Sequence, residues 1–244
     1  MEAIYDNYSP SYDAVPIEYE IDPKQLKFAF QPIWDVRKHE KYGYECLMRP
    51  YRKPPMDYIN AYEKAGRLDE IEGYTALYGI EAFLEAGLEG HIFLNSFPSS
   101  CASLEVVSKL KDLQCEEMMD KIVIEVLEYT KHERFAWAMK KRVFEQFGLK
   151  MRIAIDDFGT GSNEDLKCLE IYKPDIVKID RQYITEIHRH YWHQRIVKAM
   201  CDGAHANGIE ILAEGVETEE EYQYLLPLVD YMQGYYLGKP KIYD

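Results

Sequence analysis

Short apolar runs rich in β-branched and aromatic residues alternate with longer amphipathic stretches from residue 27 to the end of this chain. This alternation is typical of repeated strand–helix units. The candidate strands are residues 28–36, 42–49, 92–97, 122–127, 152–157, 176–179, 209–213 and 231–237. The helix-length segments are residues 56–86, 104–113, 132–147, 164–172, 188–206 and 219–228. The pattern predicts a TIM-type (β/α)₈ barrel, and a doubly wound open sheet is the main alternative.

The first two candidate strands are joined by a very short link, RKHEK at residues 37–41. A parallel crossover needs about a dozen residues or more, whereas antiparallel strands can be joined by a short turn. We therefore expect the first strand to run antiparallel to the second, inside an otherwise parallel barrel.

The amino-terminal end of the chain differs from the remainder. Residues 1–24 contain several tyrosines and the prolines Pro10 and Pro16, but no sustained period. We expect a flexible or surface-bound leader there, with a regulatory segment as the alternative. Residues 25–244 would then form one barrel domain, which is the size at which such barrels occur.

Composition excludes several classes of protein. The 244 residues include 43 acidic and 29 basic side chains, a net charge of −14, which argues against binding long nucleic acid through a basic surface. A phosphate-bearing substrate would need local positive charge, for which metal ions are the obvious source. The 5 cysteines contain no CxxC spacing, so we expect a reduced, cytoplasmic setting. The sequence shows neither a signal peptide nor an apolar run of about 18 residues that could span a membrane.

Polar residues interrupt most of the candidate strands, usually late in the strand. They are Glu45, Asn95, Glu125, Glu128, Asp156, Asp157, Lys178, Glu214 and Gln233. For any one of them, helix capping or solvent exposure is the more frequent explanation. Active sites of (β/α)₈ barrels lie at the carboxyl ends of the strands, however, so we expect these side chains to converge. Asp156 and Asp157 are adjacent and should point to opposite sides of their strand.

Several carboxylates around one barrel mouth would repel one another unless cations were present. Oxygen ligands with one amide and no thiolate suit Mg²⁺ or Mn²⁺. An aspartate able to bridge two ions beside a second aspartate predicts a two-metal site, with ions about 3.5–4 Å apart, of the kind that serves phosphoryl chemistry.

Lys178 lies within the apolar strand sequence IVKID. At an acidic barrel mouth it would orient a water molecule or stabilise negative charge on a phosphoryl group. The alternative is a structural salt bridge with Asp157 or Asp180. The DFG at residues 157–159 does not indicate a kinase, because the sequence has no glycine-rich phosphate loop and no HRD-type catalytic loop.

Eight motifs then carry a resemblance to a known family. They are FQPIWD at residues 30–35, YECLMR at 44–49, LNSFP at 94–98, EVLE at 125–128, DDFGTG at 156–161, VKID at 177–180, AEGVET at 213–218 and QGYYLGKP at 233–240. In this order, residues 27–240 resemble the bacterial EAL-domain cyclic di-GMP phosphodiesterases, with ECL in place of EAL. The resemblance implies a barrel with an antiparallel first strand, as the short link does. It also implies hydrolysis of cyclic di-GMP to linear pGpG with two Mg²⁺ or Mn²⁺ ions, and we expect a homodimer.

The resemblance also implies roles for individual residues. One metal ion would be held by Glu45, Asn95, Glu125 and Asp156, and the second by Asp156, Asp157 and Glu214, the last directly or through water. Lys178 would hold or activate the nucleophilic water, and Gln233 would help to position it. Glu45, Gln31 and Arg49 would contact the substrate, since a guanidinium suits a phosphate. Glu128 would anchor the loop that follows Asp157.

The chain departs from the family pattern in two places. Cys46 replaces the alanine of the EAL signature, which we expect to be tolerated because Glu45 supplies the chemistry. The loop at residues 160–166, TGSNEDL, carries the extra acids Glu164 and Asp165, which would alter dimerisation or metal affinity. Two alternatives therefore remain beside an active enzyme. One is a cyclic di-GMP receptor without turnover, and the other is a protein-interaction module that no longer binds nucleotide.

Overall fold

The computed structural model of the chain describes residues 20–100, 120–128, 134–146, 152–160 and 167–243. Most of the predicted leader, the candidate helix at 104–113 and the loop residues 161–166 lie outside the described residues. The strands are β1 Lys27–Asp35, β2 Glu40–Arg49, β3 His91–Ser96, β4 Ile122–Val126, β5 Arg152–Phe158, β6 Ile176–Ile179, β7 Glu210–Ala213, β8 Tyr231–Met232 and β9 Lys241–Ile242.

The strands form a closed barrel. Hydrogen-bonded neighbours follow the order β2-β3-β4-β5-β6-β7-β8-β1, and a ladder between β1 and β2 closes the ring. The pairs from β2 to β8 are all parallel, whereas β1 is antiparallel to β2 and to β8. The barrel prediction and the antiparallel first strand are confirmed. The open-sheet alternative is wrong, because the β1–β2 ladder leaves neither of these strands as an edge of an open sheet.

The described helices are α1 Pro55–Lys64, α2 Leu68–Glu85, α3 Arg134–Gln146, α4 Lys167–Tyr172, α5 Arg181–Ile184, α6 Tyr191–Ala206 and α7 Glu219–Leu225. The single predicted helix at 56–86 is two helices, because Gly66 adopts a positive φ of 68° and ends α1. The predicted helix at 188–206 begins only at Tyr191. Among the described residues, no helix combines the length and the apolar character needed to cross a bilayer.

The predicted strand at 231–237 is much shorter in the structure. It ends at Met232, and the Gln233 carbonyl accepts a hydrogen bond from the Val216 N–H at 3.1 Å. The backbone of Gly234 lies so close to Val216 that a Cβ there would stand 2.0 Å from the Val216 carbonyl oxygen. The chain therefore turns over the end of β7, and the sequence pattern could not show that contact.

A layer of apolar side chains fills the barrel interior. It consists of Ile33, Phe93, Val123, Ala154, Ile176, Leu212 and Tyr231, with Tyr42 packed against it. Side chains alternate between the two faces of a strand, so a residue two positions further on points to the same side. On or directly after β3–β8 those residues are Asn95, Glu125, Asp156, Lys178, Glu214 and Gln233. The strand pleat thus places polar side chains directly above an apolar layer, towards the carboxyl ends of the strands.

The opposite end of the barrel is closed by a separate group of contacts. Arg152 and Glu210 begin strands β5 and β7 and form a salt bridge, and Arg152 also donates to the Tyr42 hydroxyl. The Tyr42 ring stacks on His91 with 4.1 Å between centroids. This group of contacts lies at the end of the barrel away from the polar layer.

Candidate active site

Lys178 lies at the centre of the polar layer, 1% exposed on strand β6. Its Nζ stands 2.7 Å from Glu125 Oε1, 2.6 Å from Asp156 Oδ1 and 2.6 Å from Glu214 Oε1. The structural alternative from the sequence, a salt bridge with Asp157 or Asp180, is wrong on both partners. Barrel closure instead brings together carboxylates from β4, β5 and the end of β7.

The charges around Lys178 do not balance. Burial raises the pKa of Glu125 and of Glu214 well above the usual range, and the Lys178 ammonium opposes that shift. For Lys178, burial alone would lower the pKa, but the charges of Asp156, Glu125 and Glu214 raise it well above its ordinary value. One ammonium cannot balance the three carboxylates that face it, and a further cation nearby would favour their ionised forms.

Asp157 shares the same pocket although it directly follows Asp156. Single carboxylate oxygens of Asp156, Asp157 and Glu214 all lie within 4.8 Å of one another. The expectation that Asp156 and Asp157 would point to opposite sides is wrong. Asp157 has a φ of 45°, and the β5–β6 register shifts between Ile155 and Phe158, so the regular alternation of the strand is broken here.

The pKa of Asp157, the second aspartate, is also shifted. Burial, the nearby charge of Asp156 and a hydrogen bond with Asp180 raise the pKa of Asp157 to about 8. Asp180 accepts a hydrogen bond from the Gln182 N–H at 2.7 Å and caps helix α5. Asp180 therefore contacts the second aspartate of the site, a role that the VKID motif alone did not indicate.

Glu45 and Gln233 meet across the mouth from strands that are distant in sequence. Gln233 Nε2 donates to Glu45 Oε2 at 2.5 Å. Gln31 lies opposite Glu45 in the β1–β2 ladder and donates to the Gly238 carbonyl at 3.2 Å. The structure thus brings three of the predicted residues to one side of the mouth.

Arg49 and Asn95 line a cavity of about 220 Å³ beside the polar layer, together with Phe97 and Leu127. Asn95 pairs in register with Glu125 on the neighbouring strand. Within the described part of the chain, the Arg49 guanidinium makes one hydrogen bond, from Nη1 to the adjacent Met48 carbonyl at 3.0 Å. Its guanidinium therefore has donors left for an anionic ligand.

Glu128 contacts the loop that follows Asp157. Its Oε2 accepts a hydrogen bond from Thr160 Oγ1 at 2.8 Å, and the same hydroxyl reaches the Asp157 carbonyl at 2.8 Å. The two extra acids of this loop, Glu164 and Asp165, lie outside the described residues. The contact places Glu128 where the resemblance implied a loop anchor.

Cys46 points away from the site. It is buried, and its Sγ faces Gly79 of α2, where an added Cβ would stand 2.7 Å from the sulfur. Burial raises the pKa of the Cys46 thiol, which removes its nucleophilic character. The departure from the EAL signature therefore falls on the helix-facing side of β2, opposite to the side chain of Glu45.

Two charged residues, the buried Lys140 and the partly buried Glu72, were missed in the sequence. Glu72 on α2 and Lys140 on α3 form an ion pair at 2.7 Å behind strand β3. The one available signal was the position of Lys140, which follows the buried Ala136 and Trp137 at helical spacing and so falls on the apolar face of α3.

The donor set of the site fits divalent cations. Glu125 is fully buried, and its Oε2 has no hydrogen-bond partner in the described part of the chain, whereas Glu125 Oε1 and Glu214 Oε1 are each held by the ion pair with Lys178. Unpartnered buried oxygens of this kind are costly unless a cation or water satisfies them. Clustered carboxylates with one amide and no thiolate match the ligands of hard cations.

Comparison with known proteins agrees with this geometry. The family model for the EAL domain matches residues 16–240. Cyclic di-GMP phosphodiesterase PdeR of Escherichia coli K12 is 26% identical over 234 residues, covering 90% of this chain and 34% of that protein. The chain spans only between 16% and 34% of the length of the first curated relatives it matches.

Two solved structures resemble the whole barrel. A standalone EAL protein from Vibrio cholerae O395 in a c-di-GMP-bound form has a TM-score of 0.72 and 28% identity, covering 88% of this chain and 92% of that one. The calcium and cyclic di-GMP complex of Klebsiella pneumoniae BlrP1 has a TM-score of 0.70 and 27% identity, covering 93% of this chain and 58% of that one. With a family match over nearly the full length and a carboxylate-rich mouth on a barrel whose first strand is antiparallel, the chain belongs to the EAL domain family.

Proposed function

We propose that this protein is a divalent-metal-dependent phosphodiesterase that hydrolyses cyclic di-GMP to linear pGpG. The observation that carries the proposal is the group of three carboxylates around Lys178, in which the fully buried Glu125 has one oxygen, Oε2, without a hydrogen-bond partner in the described part of the chain. Solved relatives that bind cyclic di-GMP, one of them together with calcium, support the substrate class and the use of a divalent ion.

Two groups of residues would hold the ions. Glu45, Asn95, Glu125 and Asp156 would form one group, and Asp156, Asp157 and Glu214 the other. When bound, Mg²⁺ or Mn²⁺ would polarise the phosphoryl group and make water a better nucleophile. The same charge would oppose the rise that burial causes in the pKa of Glu125 and of Glu214, because a nearby cation favours the ionised carboxylate.

The remaining residues act on substrate and water. Lys178 would hold the attacking water by hydrogen bonding and stabilise negative charge on the phosphoryl oxygens. Gln233 would keep Glu45 oriented through its 2.5 Å hydrogen bond. Arg49 would bind a phosphate through its free donors, and Gln31 would contact the nucleotide beside it.

The test is a turnover assay with a matched pair of variants. Purified protein is incubated with cyclic di-GMP and Mn²⁺ or Mg²⁺, and pGpG is followed by chromatography. Glu45→Gln should abolish turnover, whereas Glu40→Gln, the same change at the exposed start of the same strand, should leave it intact. Tight nucleotide binding without pGpG in either metal would refute the enzyme and favour the receptor. Absence of both binding and turnover would favour the interaction module.

The homodimer and the cytoplasmic setting stay predictions. Sedimentation of the purified protein with and without Mn²⁺ would test the dimer. Fractionation of cells that express the protein would test the setting.

A further inference from the structure

The ion pair of Glu72 and Lys140 behind strand β3 contacts one short segment of the chain, residues 96–100. Lys140 is fully buried, and its Nζ contacts Glu72 Oε1 at 2.7 Å, Ser96 Oγ at 2.8 Å, the Phe97 carbonyl at 3.0 Å and Ser100 Oγ at 2.9 Å. Apart from Glu72, every partner that this ammonium has in the described part of the chain lies in the five residues that follow Asn95.

Glu72 contacts the same segment from helix α2. Its Oε1 accepts from Ser96 Oγ at 2.9 Å, and its Oε2 accepts from the Phe97 N–H at 3.0 Å and from the Ser100 hydroxyl. The segment is also closed on itself, since the Ser100 N–H donates to the Phe97 carbonyl at 3.1 Å. The two helices therefore hold residues 96–100 through side chains of opposite charge.

This arrangement is more specific than stability requires. Replacing a buried ion pair with well-packed apolar residues is often neutral for stability, so stability alone does not account for this pair. Ser96 and Asn95 are adjacent on β3 and face opposite sides. The contacts that Glu72 and Lys140 make with Ser96 on the helix-facing side of β3 therefore restrict the orientation of the Asn95 side chain on the opposite side, at the barrel mouth.

The same segment is tied to the neighbouring strand. The Ser96 carbonyl accepts a hydrogen bond from the Leu127 N–H at 3.1 Å, two residues after Glu125. Asn95 and Glu125 are themselves paired in register. The position of Asn95 relative to Glu125 thus depends on contacts that Glu72 and Lys140 reinforce.

We propose that Glu72 and Lys140 form a buried ion-pair latch that positions Asn95 for divalent-metal binding. The latch rests on the proposed metal-dependent function, and both residues are positioning residues because neither faces the mouth. Partners of metal ligands typically change metal affinity by about 10- to 100-fold when they are removed.

The experiment measures Mn²⁺ affinity directly, by isothermal titration of nucleotide-free protein. The test variant is Glu72→Gln combined with Lys140→Met, which removes both charges together and leaves a carbonyl that can accept from the Phe97 N–H. We expect Mn²⁺ affinity to fall about tenfold or more. The control is Glu210→Gln, which breaks the Arg152 salt bridge at the opposite end of the barrel and should leave Mn²⁺ affinity unchanged.

A third and a fourth variant separate positioning from general loosening. Ser96→Ala removes the hydroxyl that both latch residues contact and should also weaken Mn²⁺ binding. This single variant tests the latch even if the double variant folds poorly. In an Asn95→Ala background, Glu72→Gln with Lys140→Met should cause no further loss, because the ligand that it positions is already gone.

The outcomes distinguish the latch from the function on which it rests. Parent protein that binds no Mn²⁺ would overturn the metal-dependent function and the latch together. Parent that binds Mn²⁺, with the double variant and Ser96→Ala binding equally well, would overturn the latch alone. Equal losses with and without Asn95 would also overturn it, since the effect would then not pass through that residue.

Discussion

Replacing Lys178 with methionine tests the charge balance at the centre of the site. The ammonium lies within 2.7 Å of three carboxylates and is 1% exposed, so the change leaves buried acids with no opposite charge. Removing one partner of a buried ion pair costs about 3–5 kcal/mol of folding free energy. For a domain of this size each kcal/mol shifts the melting temperature by about 2–4 °C, so we expect a fall of about 6–20 °C in EDTA.

The pH and metal dependence of that fall follow from the same charges. Acids whose pKa is raised in the folded state contribute stability below their unfolded pKa and lose it as pH rises through the folded value. The loss caused by Lys178→Met should therefore be greater at pH 8 than at pH 5.5. Saturating Mn²⁺ should restore much of it, since a ligand at 100 times its Kd stabilises the folded state by about 2.7 kcal/mol.

The assay is thermal unfolding in EDTA and in Mn²⁺, at both pH values, with Lys198→Met as the control. Lys198 is exposed on α6 and pairs with Asp202, an ion pair of a kind that contributes at most about 1 kcal/mol. If Lys178→Met melts within the range of this control in EDTA at pH 8, the ammonium does not compensate the carboxylates, and the electrostatic account of the site is wrong.

Three further predictions concern other parts of the molecule. Gly79→Ala should lower the free energy of unfolding in urea by about 1–2 kcal/mol, because overpacking against Cys46 Sγ exceeds the gain in helix propensity. In a Cys46→Ala background the same change should be neutral or stabilising. If the effects of the two substitutions simply add, the contact is refuted. Because the pKa of Asp157 is raised to about 8, Mn²⁺ affinity should increase as pH rises towards 8, and binding should release protons. Titration calorimetry in buffers of different ionisation enthalpy would detect those protons. A Mn²⁺ affinity that does not change with pH would contradict this prediction. Gln233→Ala should lower turnover about 10- to 100-fold by releasing Glu45, measured by steady-state kinetics, and an unchanged kcat would exclude that role.

Much of the barrel could be predicted from the sequence because the relevant signals are local. Alternation of apolar runs with amphipathic stretches depends on the two-residue period of a strand and the 3.6-residue period of a helix, and neighbouring residues alone show both. The five-residue link at 37–41 was sufficient to predict an antiparallel first strand. Errors fell where a distant contact intervenes, as at residue 234, whose close approach to Val216 ends β8 early.

The site shows the same division. The polar residues late in successive strands were visible in the sequence, because the carboxyl ends of parallel strands must meet at one end of a barrel. Their partners were not. Lys178 was expected at the acidic mouth, with a salt bridge to Asp157 or Asp180 as the alternative, whereas the structure pairs it with Glu125, Asp156 and Glu214.

Local patterns in the amino-acid sequence were enough to predict the order of strands and helices, the barrel, and which acids meet at its mouth. Closure of the barrel settled which polar side chains are paired, as in the contact of Glu45 with Gln233, 188 positions apart, and of Glu72 with Lys140, 68 positions apart. It also decided the backbone of Asp157, whose positive φ breaks the strand alternation. The physical reason is that pleat and helix periods are set between neighbours in the chain, whereas ion pairing and desolvation depend on distances that exist only once the barrel has closed.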